Sequence, residues 1–230
     1  MGTEPFAVEA VVLDVGGVLL LPDPAVLREH LAGFGVCPSD DQCVVAHYVG
    51  MAAIDELGVA DFTHANRAIA QFFGVERKDH DKAAAAIEAA YGTAFVPIAG
   101  TGEQLGRLRA AGVAIAVVSN ATGTVEEKLA QYGICAVPGR GDLPEVAVVI
   151  DSAVVGLEKP DPAIFALALE ALGLGAERCV YVGDSVHFDV NGAVEAGLRP
   201  VHLTVLTGCQ GGHPHHRSLS DFVDVFLGEH

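Results

Sequence analysis

The chain has 230 residues, of which 51% are apolar, so it can bury a sizeable core and is not disordered by composition. Its 13 Lys and Arg residues against 30 Asp and Glu residues give a formal net charge of −17. This charge argues against nucleic acid and anionic membrane surfaces as partners, because both bind basic proteins. A small phosphorylated molecule remains compatible with it if a metal ion or a well-placed lysine supplies local positive charge.

The N-terminal apolar stretch at residues 6–21 is not read as a targeting signal. It lacks a basic leading region and is interrupted by Glu9, Asp14 and a glycine pair. No other run approaches the roughly 20 apolar residues of a membrane span. The five cysteines are odd in number and show no CxxC spacing, which fits a reducing compartment. We therefore expect a cytoplasmic protein.

Five short apolar runs are predicted to be strands. They lie at residues 11–13, 113–118, 146–150, 179–182 and 201–205. The first four lack polar alternation, which is typical of strands buried on both faces of a parallel sheet. The last alternates, which indicates a position nearer a sheet edge.

Helix signals lie between the later strands. Thr101 is predicted to cap one helix, and Thr124 with Glu127 forms a predicted capping box for the next. Asp161 followed by Pro162 is a third helix start. Strands that alternate with helices predict an α/β fold with a Rossmann-like, doubly wound parallel sheet.

A helical insertion separates the first strand from the second. Helical patterns lie at residues 25–34, 62–73 and 79–91, with no convincing strand among them. An insertion of this length is too long for an ordinary loop and predicts a small all-helical module. We therefore expect a core domain formed by residues 1–21 and 97–230, and a helical domain formed by residues 22–96.

Polar side chains follow the predicted strands. Asp14 ends the first run, Ser119 and Asn120 end the second, and Asp184 follows the fourth. Ligands bind beyond the carboxyl ends of strands in open α/β sheets. Each aspartate alone could simply cap the next helix, but two buried carboxylates at one edge repel each other unless a cation lies between them. Oxygen ligands favour Mg²⁺. Lys159, held by the proline that follows it, is a candidate positioned cation.

At these residues the chain resembles the haloacid dehalogenase superfamily of hydrolases, in the branch with a type-one helical cap. Residues 14–19, DVGGVL, are similar to the first motif of that family, and residues 118–120, VSN, are similar to the second. Lys159 in EKPDP resembles the third motif. Residues 183–185, GDS, followed by Asp189, resemble the fourth. The four motifs occur in the family's order and span residues 8–205.

The resemblance implies that the protein is a hydrolase. Within the family, it points to a phosphatase that acts on a small phosphorylated metabolite. Asp14 would attack phosphorus and form an aspartyl-phosphate. Ser119 and Lys159 would be catalytic groups that also bind the substrate phosphate, together with the backbone amide of Asn120.

The resemblance also implies a magnesium cofactor. Its ligands would be Asp14, the backbone carbonyl of Gly16 and Asp184, with Asp189 nearby or bridging through water. The helical insertion would be a cap that closes over the site and selects the substrate.

One position departs from the family. Its phosphatases usually carry a second aspartate two residues after the nucleophile, as general acid and base, but Gly16 occupies that position here. Such a group contributes about 10²–10⁴ in rate. An acid could instead come from the cap, where four side chains are candidates: Asp23, Asp55, Asp61 and His64.

Gly16 leaves three alternative functions open. The first alternative is a dehalogenase, whose reaction needs no general acid. However, the first motif of dehalogenases differs from DVGGVL, and they need no metal. Phosphonatases use a cap lysine, for which the candidates are Lys78 and Lys82, both in a mixed charge run. The third alternative is a catalytically impaired protein with a binding or regulatory role.

A final cluster lies near the C-terminus. Cys209, His213, His215 and His216 occupy a glycine-rich segment outside the four motifs. Such residues can bind zinc or nickel, but we expect a mobile loop with at most adventitious metal affinity. Nothing in the sequence identifies the substrate or the oligomeric state.

Overall fold

A six-stranded parallel sheet forms the centre of the computed structural model, which describes residues 8–207, 209 and 211–229. The strands of the chain are β1 (Ala10–Leu13), β2 (Leu20–Pro22), β3 (Phe95–Pro97), β4 (Ala114–Ser119), β5 (Val149–Asp151), β6 (Cys179–Gly183), β7 (Arg199–Leu203) and β8 (His215–His216). The order in the sheet is β5-β4-β1-β6-β7-β8. The chain therefore winds outward from β1 in both directions, which confirms the Rossmann-like α/β prediction.

Helices cover both faces of this sheet and form the segment between β2 and β3. They are α1 (Pro24–Leu31), α2 (Asp40–Leu57), α3 (Phe62–Phe72), α4 (His80–Tyr91), α5 (Thr101–Ala110), α6 (Val125–Gln131), α7 (Ser152–Val155), α8 (Pro162–Leu172), α9 (Asn191–Glu195) and α10 (Leu219–Leu227). A wide helical turn, Val186–Val190, precedes α9. Among the described helices, none is both long and apolar enough to cross a membrane.

The central strand is buried on both sides, as its uniform apolar sequence predicts. Val11 and Leu13 join a core that includes side chains of α5, α6 and α10. Ala10 and Val12 join a second core that includes side chains of α8. All four are fully buried, and burial of a Val or Leu side chain stabilises the fold by about 1.5–3 kcal/mol. The sheet is thus a rigid platform for the residues at its carboxyl edge.

The helical segment has a core of its own, made by α1 to α4. Leu27, Leu31, Ile69 and Ile87 are central to it. Two features of this region are absent from the sequence prediction. The first is α2, whose start is fixed by a capping box of Ser39 with Gln42. The second is the antiparallel pair β2–β3 at the base of the segment; each strand has three residues, too few to show a period. The division into two domains stays a prediction.

Two of the three predicted helix caps are wrong in detail. Gly100, not Thr101, precedes α5, and the Thr101 hydroxyl donates to the carbonyl of Ile98. Thr124 makes no capping bond. Instead, Asp151 at the end of β5 accepts from the backbone amides around the start of α6, because the parallel pairing of β4 with β5 brings it there. The predicted cap at Asp161 is confirmed.

We predict that Asp151→Ala destabilises the protein more than Asp161→Ala does. Buried Asp151 accepts from three amides, those of Gly123, Val125 and Ala153. Its removal should lower the free energy of unfolding by about 2–4 kcal/mol. Exposed Asp161 accepts from one amide, so its loss should cost about 1 kcal/mol. Urea unfolding measures both values, and equal losses would contradict the prediction.

Candidate active site

The polar residues predicted at the strand ends meet at one edge of the sheet. Asp14 directly follows β1, Ser119 ends β4 and Asp184 directly follows β6. Strands β4 and β6 are the two neighbours of β1 in the sheet. All three side chains are buried. The convergence follows from parallel pairing, which puts all carboxyl ends at the same edge.

Three carboxylates face one another here. One oxygen from each of Asp14, Asp184 and Asp189 lies within 4.8 Å of the others, an arrangement that could hold a metal ion. The buried Lys159 Nζ lies 2.7 Å from Asp14 Oδ1 and 2.7 Å from Asp189 Oδ1. Four residues from three separate parts of the sequence thus form one charged cluster.

The cluster contains more negative than positive charge. Burial raises the pKa of Asp14 to about 7; the Lys159 ammonium opposes this shift, and the negative charges of Asp189 and Asp184 add to it. Burial likewise raises the pKa of Asp184, although His47 opposes the shift. Burial alone would lower the pKa of Lys159, but Asp14 and Asp189 raise it above its ordinary value. The ammonium therefore keeps its charge, and the carboxylates need further positive charge.

The backbone of Lys159 is held by Asn120. The Asn120 side chain accepts from the Lys159 amide at 2.8 Å and donates to the Lys159 carbonyl at 3.0 Å. The Lys159 ammonium also donates to the Tyr181 hydroxyl at 3.1 Å, and that hydroxyl donates to Asp189 at 2.9 Å. Tyr181 is fully buried in β6, and the sequence analysis missed it because a tyrosine in a buried strand is usually a packing residue.

Asp189 organises the loop that carries Asp184. Its Oδ2 accepts from the backbone amides of Asp184 at 3.1 Å and Ser185 at 3.0 Å. Its Oδ1 contacts Lys159 and Tyr181. Both oxygens therefore already accept hydrogen bonds from the protein.

The two glycines of the first motif have different roles. Gly17 has a φ of +64°, and a Cβ there would lie 2.1 Å from Asp184 Oδ2. At Gly16, the nearest heavy atom to an added Cβ is His47 Cε1 at 4.0 Å, an ordinary contact. Gly17 is thus required for the close approach of Asp184, whereas the site has room for a small side chain at Gly16.

Comparison with known proteins identifies the family. The model for haloacid dehalogenase-like hydrolases matches residues 8–197, most of the chain. The chain belongs to this family. The sequence resemblance is therefore confirmed, and the protein is a hydrolase by family.

Individual relatives match over shorter stretches or at lower identity. The phosphoserine phosphatase of Thermus thermophilus is 37% identical over 98 residues, which is 42% of this chain and 36% of the relative. The chain thus spans little more than a third of the length of that curated relative.

Solved structures of low identity share the fold. A haloacid dehalogenase family hydrolase from Deinococcus radiodurans, solved with phosphate and sodium, has a TM-score of 0.61 at 24% identity, covering 98% of this chain and 96% of that one. A 2-haloacid dehalogenase from Pseudomonas syringae has a TM-score of 0.53 at 20% identity, covering 96% and 99%. The fold alone therefore does not distinguish a phosphatase from a dehalogenase.

In this hydrolase, α2 of the helical segment reaches the carboxylate cluster. His47 Nε2 lies 2.6 Å from Asp184 Oδ2, and the Tyr48 hydroxyl donates to the Gly17 carbonyl at 2.7 Å. Asp55 accepts a hydrogen bond from the Ser185 hydroxyl at 2.8 Å. It also accepts from the backbone amides of Val186 and His187. His47 and Asp55 are eight residues apart and share one helix face. Their spacing is the feature of the sequence that could have indicated a shared helix face, but α2 itself is absent from the sequence prediction.

The cap acids considered from the sequence do not lie in the cleft. The cleft has a volume of about 130 Å³ and is lined by Asp14, Gly16, His47, Met51, Phe62, Ser119, Asn120, Lys159, Asp184, Phe188 and Asp189. Asp23 and Asp61 cap α1 and α3, Asp55 binds the Ser185 loop, and His64 is exposed. Of the ionisable side chains of the helical segment, His47 is the one among the lining residues.

The donor set suits a hard divalent ion. Asp14 and Asp184 each have one oxygen without a protein donor among the described residues, and Gly16, which has a backbone carbonyl to offer, lines the same cleft. Carboxylate and carbonyl oxygens are the ligands that such ions prefer. The excess negative charge of the cluster also favours a cation.

We predict that Gly17→Ala destabilises the hydrolase and that Gly16→Ala does not. The alanine at position 17 must adopt a left-handed conformation, which costs about 1–3 kcal/mol, and its Cβ must displace Asp184. Gly16→Ala meets neither obstacle and is the matched control. Thermal unfolding of the two variants tests this; equal melting temperatures would show that position 17 tolerates a Cβ.

Proposed function

We propose that this hydrolase is a phosphatase that acts on a small phosphorylated metabolite, with Asp14 as its nucleophile. The observation that carries the proposal is the buried pair of Asp14 with Lys159, 2.7 Å apart, beside Ser119 and Asp184. The phosphatase name of a curated relative supports it. The acidic cluster favours a phosphatase over a dehalogenase, whose reaction needs no metal.

In the proposed reaction, a carboxylate oxygen of Asp14 attacks phosphorus. The bond from phosphorus to the leaving oxygen breaks, and its electron pair stays on that oxygen. Water then attacks the aspartyl-phosphate, the phosphorus–Asp14 bond breaks, and phosphate is released with Asp14 restored. Lys159 keeps the Asp14 carboxylate oriented and offsets charge on the phosphoryl group.

The phosphoryl oxygens would be bound by the groups at the end of β4. The Ser119 hydroxyl donates to one oxygen, and the backbone amide of Asn120 donates to another. The side chain of Asn120 takes no part, because both of its ends bind the backbone of Lys159. Its role is to position that lysine.

We propose Mg²⁺ as the cofactor, held by Asp14, the Gly16 carbonyl and Asp184. Asp189 contributes by fixing the Asp184 loop and Lys159, because its oxygens already accept protein donors. A bound divalent ion supplies positive charge against the phosphoryl oxygens.

The helical segment is proposed to act as the cap. It contacts the core through His47 and Asp55 of α2, and Phe62 of α3 stacks on Phe188 with ring centroids 6.1 Å apart. The cleft beneath, about 130 Å³, is smaller than the roughly 300–1,000 Å³ of usual small-molecule sites. These contacts therefore have to open for the substrate to enter and the product to leave.

A second cavity provides room for the organic part of the substrate. Its volume is about 230 Å³, and it shares Gly16, Ser119 and Asn120 with the cleft. Tyr91 and Lys128 also line it. A substrate whose phosphoryl group lies beside Asp14 would extend into this cavity and place polar groups near Lys128.

The glycine at position 16 restricts the substrate further. Without an acid there, cleavage should be fastest when the leaving oxygen needs little protonation, as in aryl or acyl phosphates. The preference follows from the proposed mechanism and distinguishes this chain from relatives that carry the second aspartate.

We predict that the protein hydrolyses an aryl phosphate in the presence of Mg²⁺ and that Asp14→Asn lowers kcat by at least about 10³-fold, since the nucleophile is lost. Phosphate release measures the rate. Asp81→Asn is the control, because exposed Asp81 pairs with Arg67 and lines neither the cleft nor the adjoining cavity.

Other results would replace the proposal. Halide release from 2-haloacids without phosphate release would identify a dehalogenase. Absence of turnover on aryl phosphates, acyl phosphates and haloacids alike would favour a binding or regulatory protein.

A second prediction concerns Mg²⁺ and pH. Because the pKa of Asp14 is raised to about 7, the folded protein holds a proton there that the unfolded chain releases near 3.8. The stability that protonated Asp14 contributes to the metal-free protein therefore falls as the pH rises from about 4 to 7. A cation needs the ionised carboxylate, so Mg²⁺ should raise the melting temperature more at pH 8 than at pH 6.

Thermal unfolding with and without Mg²⁺ measures this difference. In Asp184→Asn the Mg²⁺ effect should shrink at both pH values, whereas Asp81→Asn, a change on the exposed surface, should behave as the wild type. An equal Mg²⁺ effect at pH 6 and pH 8 would contradict the prediction.

A further inference from the structure

A second cluster of metal-binding side chains lies beside the active site. One ligand atom from each of His202, Cys209, His213 and His215 lies within 4.8 Å of the others. Three of these residues belong, with His216, to the cluster that the sequence shows near the C-terminus. In the structure, His216 instead faces Asp221, at 3.3 Å, and His202 of β7 takes its place in the cluster.

His202 is the anchor of this cluster. Its side chain is buried, and its Nε2 donates to the backbone carbonyl of Asp184 at 3.1 Å. That bond fixes the tautomer and leaves a lone pair on Nδ1. Nδ1 is buried and has no hydrogen-bond partner among the described residues. Histidines that bind metal usually donate a hydrogen bond from one ring nitrogen to a carbonyl or carboxylate, and bind the metal with the other nitrogen.

The surrounding backbone holds the other side chains toward His202. The amide of His202 donates to the Pro214 carbonyl at 2.9 Å, and β8 pairs in parallel with β7. The rings of His213 and His215 lie with centroids 5.4 and 5.3 Å from that of His202. Gly211 leaves room for the His213 ring, since a Cβ there would lie 2.1 Å from its Cε1.

The fourth group supplies sulfur. Cys209 is a free cysteine, and its Sγ lies 3.6 Å from Nε2 of His213. Three imidazoles and one thiol therefore surround one point.

We propose that His202, Cys209, His213 and His215 form a zinc site. Histidine nitrogen and cysteine thiolate are both ligands of tetrahedral Zn²⁺, whereas Mg²⁺ prefers oxygen. On binding, the Cys209 thiol releases its proton to solvent.

The site would join two parts of the molecule. Cys209, His213 and His215 lie in the segment after β7, and His202 lies in the sheet and holds the carbonyl of Asp184. A cavity of about 400 Å³ between this segment and α2 is lined by residues of both regions, among them His202, Cys209, Asp55 and Asp184. Zinc would fix the outer wall of that cavity and help to hold the Asp184 loop.

The test uses the full chain, freed of metals with a chelator and then titrated with Zn²⁺ by calorimetry in saturating Mg²⁺. We expect one Zn²⁺ per chain. Cys209→Ser and His213→Ala should each weaken Zn²⁺ binding by at least about 100-fold. His216→Ala, in the same segment but outside the cluster, is the matched control and should bind as the wild type does.

Cobalt substitution adds a spectroscopic readout. Co²⁺ in the wild type should give the visible bands of tetrahedral coordination and a thiolate-to-cobalt charge-transfer band. Cys209→Ser should lose the charge-transfer band while keeping its circular dichroism spectrum. Absence of Zn²⁺ binding, or equal affinity in all variants, would overturn the proposal. Neither readout depends on phosphatase activity.

Discussion

The contact of the Lys159 ammonium with the carboxylates of Asp14 and Asp189 is the interaction on which the site depends. Three buried carboxylates cannot remain charged so close together unless positive charge lies among them. One lysine offsets only part of the charge, and burial, together with the charges of Asp189 and Asp184, raises the pKa of Asp14. The excess favours a divalent ion and suits the transfer of an anionic phosphoryl group. Asn120 and Tyr181 serve the site by holding this lysine in place.

The need of buried carboxylates for positive charge or hydrogen-bond donors also accounts for the contacts of the helical segment. Asp184 is approached by His47 of α2 as well as by the core, and the adjoining loop donates three hydrogen bonds to Asp55. Opening of the segment would remove these contacts and expose the Asp184 loop to water. Access to the site and the environment of a proposed metal ligand are therefore coupled. On the other side of the loop, His202 holds the Asp184 carbonyl.

The fold explains where this chemistry lies but not which reaction occurs. Parallel strands bring Asp14, Ser119 and Asp184 to one edge. Solved structures named as a phosphatase and as a dehalogenase share the fold. Discrimination depends on individual groups. Gly17 allows Asp184 to approach closely, whereas Gly16 removes a side chain that family phosphatases usually carry. A common scaffold with a modified site is how one fold serves several reactions.

Features encoded in short stretches of sequence were predicted correctly, because neighbours in the chain carry their signal. Five of the six strands of the parallel sheet, the Asp161 cap and the polar residues at the strand ends belong to this group, although β5 begins three residues later than expected and β8 is too short to give a signal. Tyr181, His47 and His202 were not predicted, because each resembles an ordinary packing residue in its own segment. His47 contacts a residue 137 positions away. Only tertiary packing decides such contacts, since burial and pairing of polar atoms depend on elements that are distant in the chain.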